Sequence, residues 1–196
     1  MVSHGVAIPM LMLHTARLVL RDLVESDWTL VNALSQERTV TQYQTWLRLH
    51  SPAEALQWVR NGMEHNALHP RQAYNLALVH QNQAIGWLGW GRPTDGTQGD
   101  YDFGDALLPS MWRHGFMSEA LQGALSYMFQ SLKARQVFGE CASMNIASAR
   151  VMEKVGMTLS ATWIEHDDTT GEAEEHRRYA IDVKAWQDAN KIMRTG

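Results

Sequence analysis

Pro109-Ser110-Met111-Trp112-Arg113-His114-Gly115-Phe116-Met117-Ser118-Glu119-Ala120 is the stretch on which the fold turns. Tyr101 to Leu108, just before it, reads as a strand. After it, Met117, Ala120, Leu121, Ala124, Leu125, Met128 and Phe129 recur at three and four residues, the spacing of one helix face. The quoted stretch is therefore a strand-to-helix junction. The first amides of such a helix have no partners within it, and with the helix dipole they form a site for an anion such as a pyrophosphate. Gly115 lets the backbone approach a ligand closely, and Arg113 and His114 bring side chains able to carry positive charge. A glycine before a helix serves simple turn formation equally well, so this stretch alone leaves both readings open.

Upstream, Ala16 to Arg21 alternates apolar and polar residues, the period of a strand with one buried face. Ser26 caps a helix on which Leu30, Val31 and Leu34 recur. Ser51, Pro52 and Glu54 form a capping box that opens a second helix through roughly Met63. Ala73 to Val79 and Ala84 to Trp90 read as strands, with His80-Gln81-Asn82-Gln83 as the turn between them. Downstream of the junction helix, Gln136 to Ala142 reads as a strand, and Val151, Met152 and Val155 mark a short helix that Gly156 ends. Two further strands, Leu159 to Glu165 and Glu175 to Val183, are joined across a turn containing Asp168 and Gly171. The whole is one α/β (α+β) domain over residues 1–196, with 1–14 as an N-terminal extension.

The composition bounds the function. A chain of 196 residues with 45% hydrophobic and 19% charged residues buries a core without metal or disulfide support. Its net charge of -4 argues against broad attachment to nucleic acid. Cys141 is the single cysteine, which fits a reducing cytoplasm and forbids an intrachain disulfide. Val6 to Leu13, the longest apolar stretch near the start, is broken by Pro9 and too short to span a membrane, so a soluble, untargeted protein is expected. His65 and His69 have a metal-compatible spacing but lack the Glu of a zinc-protease motif, and no metal is expected.

Strand, turn, amphipathic helix, strand and then Asn145-Ile146-Ala147-Ser148-Ala149-Arg150-Val151-Met152-Glu153-Lys154-Val155-Gly156-Met157 resemble the GNAT superfamily of N-acetyltransferases. The likeness is to its RimJ/RimL-like branch, the ribosomal-protein N-terminal acetyltransferases. It runs from Thr15-Ala16-Arg17-Leu18-Val19-Leu20-Arg21 to Tyr179 through Trp186 and is most specific between Asp102 and Met157. It implies a mixed sheet of about seven strands flanked by about four helices, and acetyl-CoA as cosubstrate. The family's pyrophosphate segment, Q/R-x-x-G-x-G/A, falls on Trp112, Gly115 and Met117, of which only Gly115 keeps the general pattern. By this likeness Arg113, His114, Gly115, Phe116, Met117 and Ser118 face the pyrophosphate, and the strand around Ala106 and Leu107 pairs its backbone with the pantetheine. Asn145 matches a residue that binds near the pantetheine. Ser148 matches a position that can protonate the departing thiolate, whereas Met152 stands where many members carry the tyrosine that does so. Without the likeness, Asn145 and Ser148 read as helix capping.

The implied reaction is direct attack by an uncharged amine, with no covalent enzyme intermediate. The base need only be a carboxylate acting through water. Asp102, Asp105 and Glu140 are the candidates, with Glu165 more distant, and each also reads as an ordinary strand-edge charge. Tyr43, Gln44 and Trp46 are placed either to line an acceptor cleft or to pack in the core, and the remaining tryptophans read as packing. The acceptor is a protein N-terminus or a small-molecule amine, and a strand edge offers a route to a homodimer. A non-catalytic acyl-CoA sensor is the alternative, with Met117 and Met152 as its support.

Overall fold

The computed structural model describes residues 10–93, 97–166 and 173–195, with side chains to Ala189. Eight strands form one sheet in the order β1-β2-β3-β4-β5-β6-β8-β7. They are β1 (Met12–His14), β2 (Val19–Asp22), β3 (Ala73–His80), β4 (Gln83–Gly91), β5 (Asp100–Leu107), β6 (Gln136–Ala142), β7 (Thr158–His166) and β8 (Ala173–Asp182). The strand beyond the seven expected is β1, which pairs with β2 and so draws residues before Thr15 into the sheet. The expected turn at Asp168 and Gly171 lies outside the described residues.

The helices are α1 (Trp28–Gln36), α2 (Arg38–Thr41), α3 (Pro52–Ala67), α4 (Phe116–Gln130), α5 (Ile146–Lys154) and α6 (Val183–Thr195). Two cores sit on opposite faces of the sheet. One packs α4 and α5 through Leu121, Leu125, Met128 and Met152, and the other packs α1 and α3 through Val31, Leu34 and Val59. The Ser51 hydroxyl accepts from the Glu54 amide at 3.2 Å as a capping box requires, but the Glu54 carboxylate takes the His50 amide, not that of Ser51. That helix runs on to Ala67, well past Met63.

The β3–β4 turn is tighter than the tetrad suggests. His80 pairs with Gln83, leaving only Gln81 (φ 49°) and Asn82 (φ 64°) in the turn. Two left-handed residues match the twist of a two-residue hairpin. The α6 helix begins where the sequence reads as the end of a strand. Asp182 caps it by accepting from the Ala185 amide at 2.8 Å, and Trp186 stacks on Phe129 of α4 at 5.2 Å.

The feature that positions the site is the separation of β5 from β6. All neighbouring strands are antiparallel except these two, which pair in parallel only from Asp100↔Gln136 to Phe103↔Gly139. The pairing of β5 with β4 continues on to Leu107↔Gly86. The sheet therefore splits beyond Phe103, whose ring packs so closely over Gly139 that a Cβ there would lie 2.5 Å from it.

Candidate active site

A cavity of about 170 Å³ occupies the split between β5 and β6. Strand alternation sends side chains from both faces of the sheet into it. On the α4/α5 side it is lined by Asp105, Cys141, Ser148 and Met152, and on the α3 side by Asp102 and Glu140. Of the three candidate carboxylates, Asp102 and Glu140 thus share one face, and Asp105 stands on the other with the serine.

These groups differ in their surroundings. Glu140 is exposed and bound by Arg178, with Nε at 2.7 Å and Nη2 at 2.5 Å. Burial raises the Asp105 carboxyl to about 6. The Cys141 thiol is pushed up, chiefly by burial, which the neighbouring Ser148 hydroxyl only partly offsets. At neutral pH that thiol stays protonated, which makes it a poor nucleophile.

The open edge of β5 is partly occupied by side chains. Gln44 donates its amide to the Asp105 carbonyl, and the Trp112 indole donates to the Leu107 carbonyl at 2.7 Å. Asp105 and Leu107 therefore face the opening, while Ala106 pairs with Trp87 inside the β4–β5 ladder. Of the two residues expected to meet pantetheine, Leu107 presents backbone to the opening and Ala106 does not. Tyr43 crosses the cleft, donating from its hydroxyl to the Met144 carbonyl at 3.4 Å. Asn145 caps α5, its Oδ1 accepting from the Ser148 amide at 3.2 Å, and also lines the cavity.

The junction loop follows β5, tied to its end by the Trp112 indole on the Leu107 carbonyl. Gly115 has φ +79°, a left-handed backbone that favours glycine, and the first bond of α4 runs from the Glu119 amide to the Gly115 carbonyl. The amides of Phe116, Met117 and Ser118 are thus left without intrahelical partners. The side chains of these three are buried. Met117 points into the core, 6% exposed, so its size does not fill the loop. Arg113 and His114 are exposed beside it.

Two cations that the sequence did not single out converge here. A Cβ on Gly115 would lie 3.7 Å from both Arg17 Nη2 and Lys154 Nζ. Arg17 is aimed by Glu119 (Nε to Oε2, 2.7 Å) and by the His114 carbonyl (3.0 Å), and its guanidinium lies over the Phe116 ring. A glycine hollow with free helix amides and two flanking cations suits a pyrophosphate. Among the described residues no cluster suits a metal ion, and no helix is long and apolar enough to cross a membrane.

The model of the acetyltransferase (GNAT) domain matches residues 17–158. An FsC-acetyl coenzyme A-N(2)-transacetylase of Aspergillus fumigatus is 30% identical over 96 residues, which span 48% of this chain and 41% of that protein. The uncharacterized N-acetyltransferase YnaD of Bacillus subtilis is 26% identical over 143 residues, 73% of this chain and 80% of its own. In structure, the RimL ribosomal L7/L12 α-N-protein acetyltransferase in complex with coenzyme A superposes with a TM-score of 0.77 at 22% identity, covering 89% of this chain and 99% of that one. At that identity the likeness establishes the fold.

Proposed function

This chain belongs to the GNAT acetyltransferase family and is an acyltransferase, and from that premise we propose that it transfers the acetyl group of acetyl-CoA to a primary amine by direct attack. The observation that carries this reading is the opening between β5 and β6, lined by the Ser148 hydroxyl and the Asp105 carboxyl, together with the Gly115 anion loop that follows β5 and its two flanking cations. Acetyl-CoA, when bound, supplies an activated thioester. The rest of the chemistry belongs to the chain.

Arg17, Lys154 and the amides of Phe116, Met117 and Ser118 hold the phosphates. Asp105, mostly ionised at pH 7 with a carboxyl that titrates at about 6, takes the proton of the incoming ammonium. Ser148, which lines the opening, gives a proton to the departing sulfur and regains one from the attacking nitrogen. Met152, 1% exposed in the core, has no part in proton transfer. Asp102 and Glu140 set the charge on the side from which the amine arrives, either as a small molecule or as a protein N-terminus.

The test is thiol release from acetyl-CoA over a panel of amines and peptide N-termini, after calorimetry has established coenzyme A binding. Release with at least one acceptor is expected. Tight binding without turnover on any acceptor would favour an acyl-CoA sensor, and a folded sample that binds no coenzyme A would sink both readings.

A further inference from the structure

A second cavity, of about 500 Å³, opens from the cleft on the α3 face of the sheet and shares Trp46, Asp102, Phe103 and Gly104 with it. Three indoles form its wall. Trp46 stacks on Trp58 at 6.2 Å, and both meet Trp87 edge-on at 5.4 and 5.2 Å. The floor is glycine, Gly89 and Gly91 of β4 and Gly104 of β5. The Trp87 ring covers part of it, lying 2.3 Å from where a Cβ on Gly89 would stand and 3.5 Å from one on Gly104, whereas one on Gly91 would find nothing nearer than 3.6 Å. The open part of the floor is therefore at Gly91.

The charge of the lining narrows what can enter. Among the described residues around this cavity Asp102 is the single carboxylate, His65 is the one imidazole, and none is Lys or Arg. A phosphorylated or carboxylated body would find no ammonium or guanidinium to neutralise it. The further ammonium groups of a polyamine would find no second carboxylate. Trp46 is 48% exposed, so its ring is open to a ligand.

We propose that this cavity holds the body of the acceptor, and that the acceptor is a singly charged primary amine on a flat apolar group, of the arylalkylamine class. The inference rests on the amine-acetylation reading above. The ring lies against Trp46 and Trp87 over the glycine floor, and the ammonium reaches the opening between β5 and β6 past Asp102.

Thiol release with 2-phenylethylamine and tryptamine is compared with n-butylamine, spermidine and a short peptide. Binding of 2-phenylethylamine to the coenzyme A-loaded protein is followed by calorimetry. The arylalkylamines should exceed n-butylamine and spermidine in kcat/KM by roughly tenfold or more, the gain that one aromatic contact with its buried area supplies. In Trp46→Ala that ratio should collapse toward one, a readout that a general loss of activity does not mimic. Preference for spermidine or for the peptide, or a ratio unmoved by Trp46→Ala, would overturn this proposal and leave acetyl transfer standing. Trp46-dependent binding of 2-phenylethylamine without turnover on any amine would overturn the transfer reading and uphold the cavity. No binding and no turnover with the arylalkylamines, while other amines react, would refute the cavity alone.

Discussion

Replacing Asp105 by Asn separates a base from a structural carboxylate, because the two roles move activity and stability in different directions. Burial lifts the Asp105 carboxyl from its ordinary 3.8 to about 6. That gap corresponds to at most roughly 3 kcal/mol, the cost to the fold of keeping this charge buried near neutral pH. Between the two values the folded protein retains a proton that the unfolded chain has already released. The contribution of Asp105 to stability is therefore most favourable at the acid end and declines as pH rises through the window from 3.8 to about 6. Asparagine cannot ionise, so the variant escapes that decline. At pH 7 its melting temperature should rise by up to about 6–12 °C, given about 2–4 °C per kcal/mol for a domain of this size. Near pH 4 the two proteins should melt together.

Activity should move the other way. In the parent, kcat/KM should climb with a slope near one below about pH 6 and then flatten as Asp105 completes its ionisation. The amine titrates higher, near pH ~8 for an α-amino group, and does so equally for both proteins, so their ratio isolates Asp105. Asp105→Asn should lose the acid limb and roughly a hundredfold or more of the rate at pH 7. Thiol release from pH 5 to 8 at saturating acetyl-CoA, beside thermal melts at pH 4 and 7, gives both quantities. A variant that keeps its rate refutes Asp105 as base. One that loses rate and also melts lower at pH 7 refutes the account of why its carboxyl is raised.

Gly115→Glu should fold, since a Cβ has 3.7 Å of clearance, but its carboxylate would fall on Arg17 and Lys154. Coenzyme A affinity should drop about a hundredfold by calorimetry, as expected for losing two charge-assisted bonds, while Gly115→Ala pays only about 1 kcal/mol of backbone strain. Equal damage from Ala would mean that conformation, not charge, governs the loop. Ser148→Ala should leave coenzyme A binding within a few-fold and slow turnover by roughly ten- to a hundredfold, and an unchanged single-turnover rate would remove Ser148 as proton donor. Burial pushes the Glu119 carboxyl up, but hydrogen bonds from Thr15 and Arg17 outweigh it and hold the group below its usual value. Stability from Glu119 is therefore present above the ordinary carboxylate range and lost as pH falls below it. Glu119→Gln should abolish that acid-side loss in pH-dependent melts and also weaken coenzyme A binding, because Arg17 loses its aim. An unaltered affinity would show that Arg17 needs no such support.

Short-range physics is what the sequence by itself determined. The left-handed Gly115 and Gly156, the Ser51 and Asn145 caps and the apolar face of α4 depend on neighbours within a turn or two, and all are legible in order along the chain. The family pattern adds the anion loop, because its ligands are mostly backbone amides whose positions follow from the loop itself. The α6 helix escaped notice because Val183 continues the apolar alternation of β8, and its docking depends on Trp186 finding Phe129.

Only the tertiary structure decided which side chains share a space. Arg17 and Lys154 come from the β1–β2 turn and the end of α5, both remote in sequence from Gly115, and no local signal joins them. Asp102 and Asp105 look alike as strand acids. Their three-residue separation on an alternating strand sends them to opposite faces, and only packing tells which face holds Ser148 and which the tryptophan wall. The split between β5 and β6 has the same origin. It arises where the Phe103 ring meets Gly139, a contact between two chain segments that neither segment encodes alone.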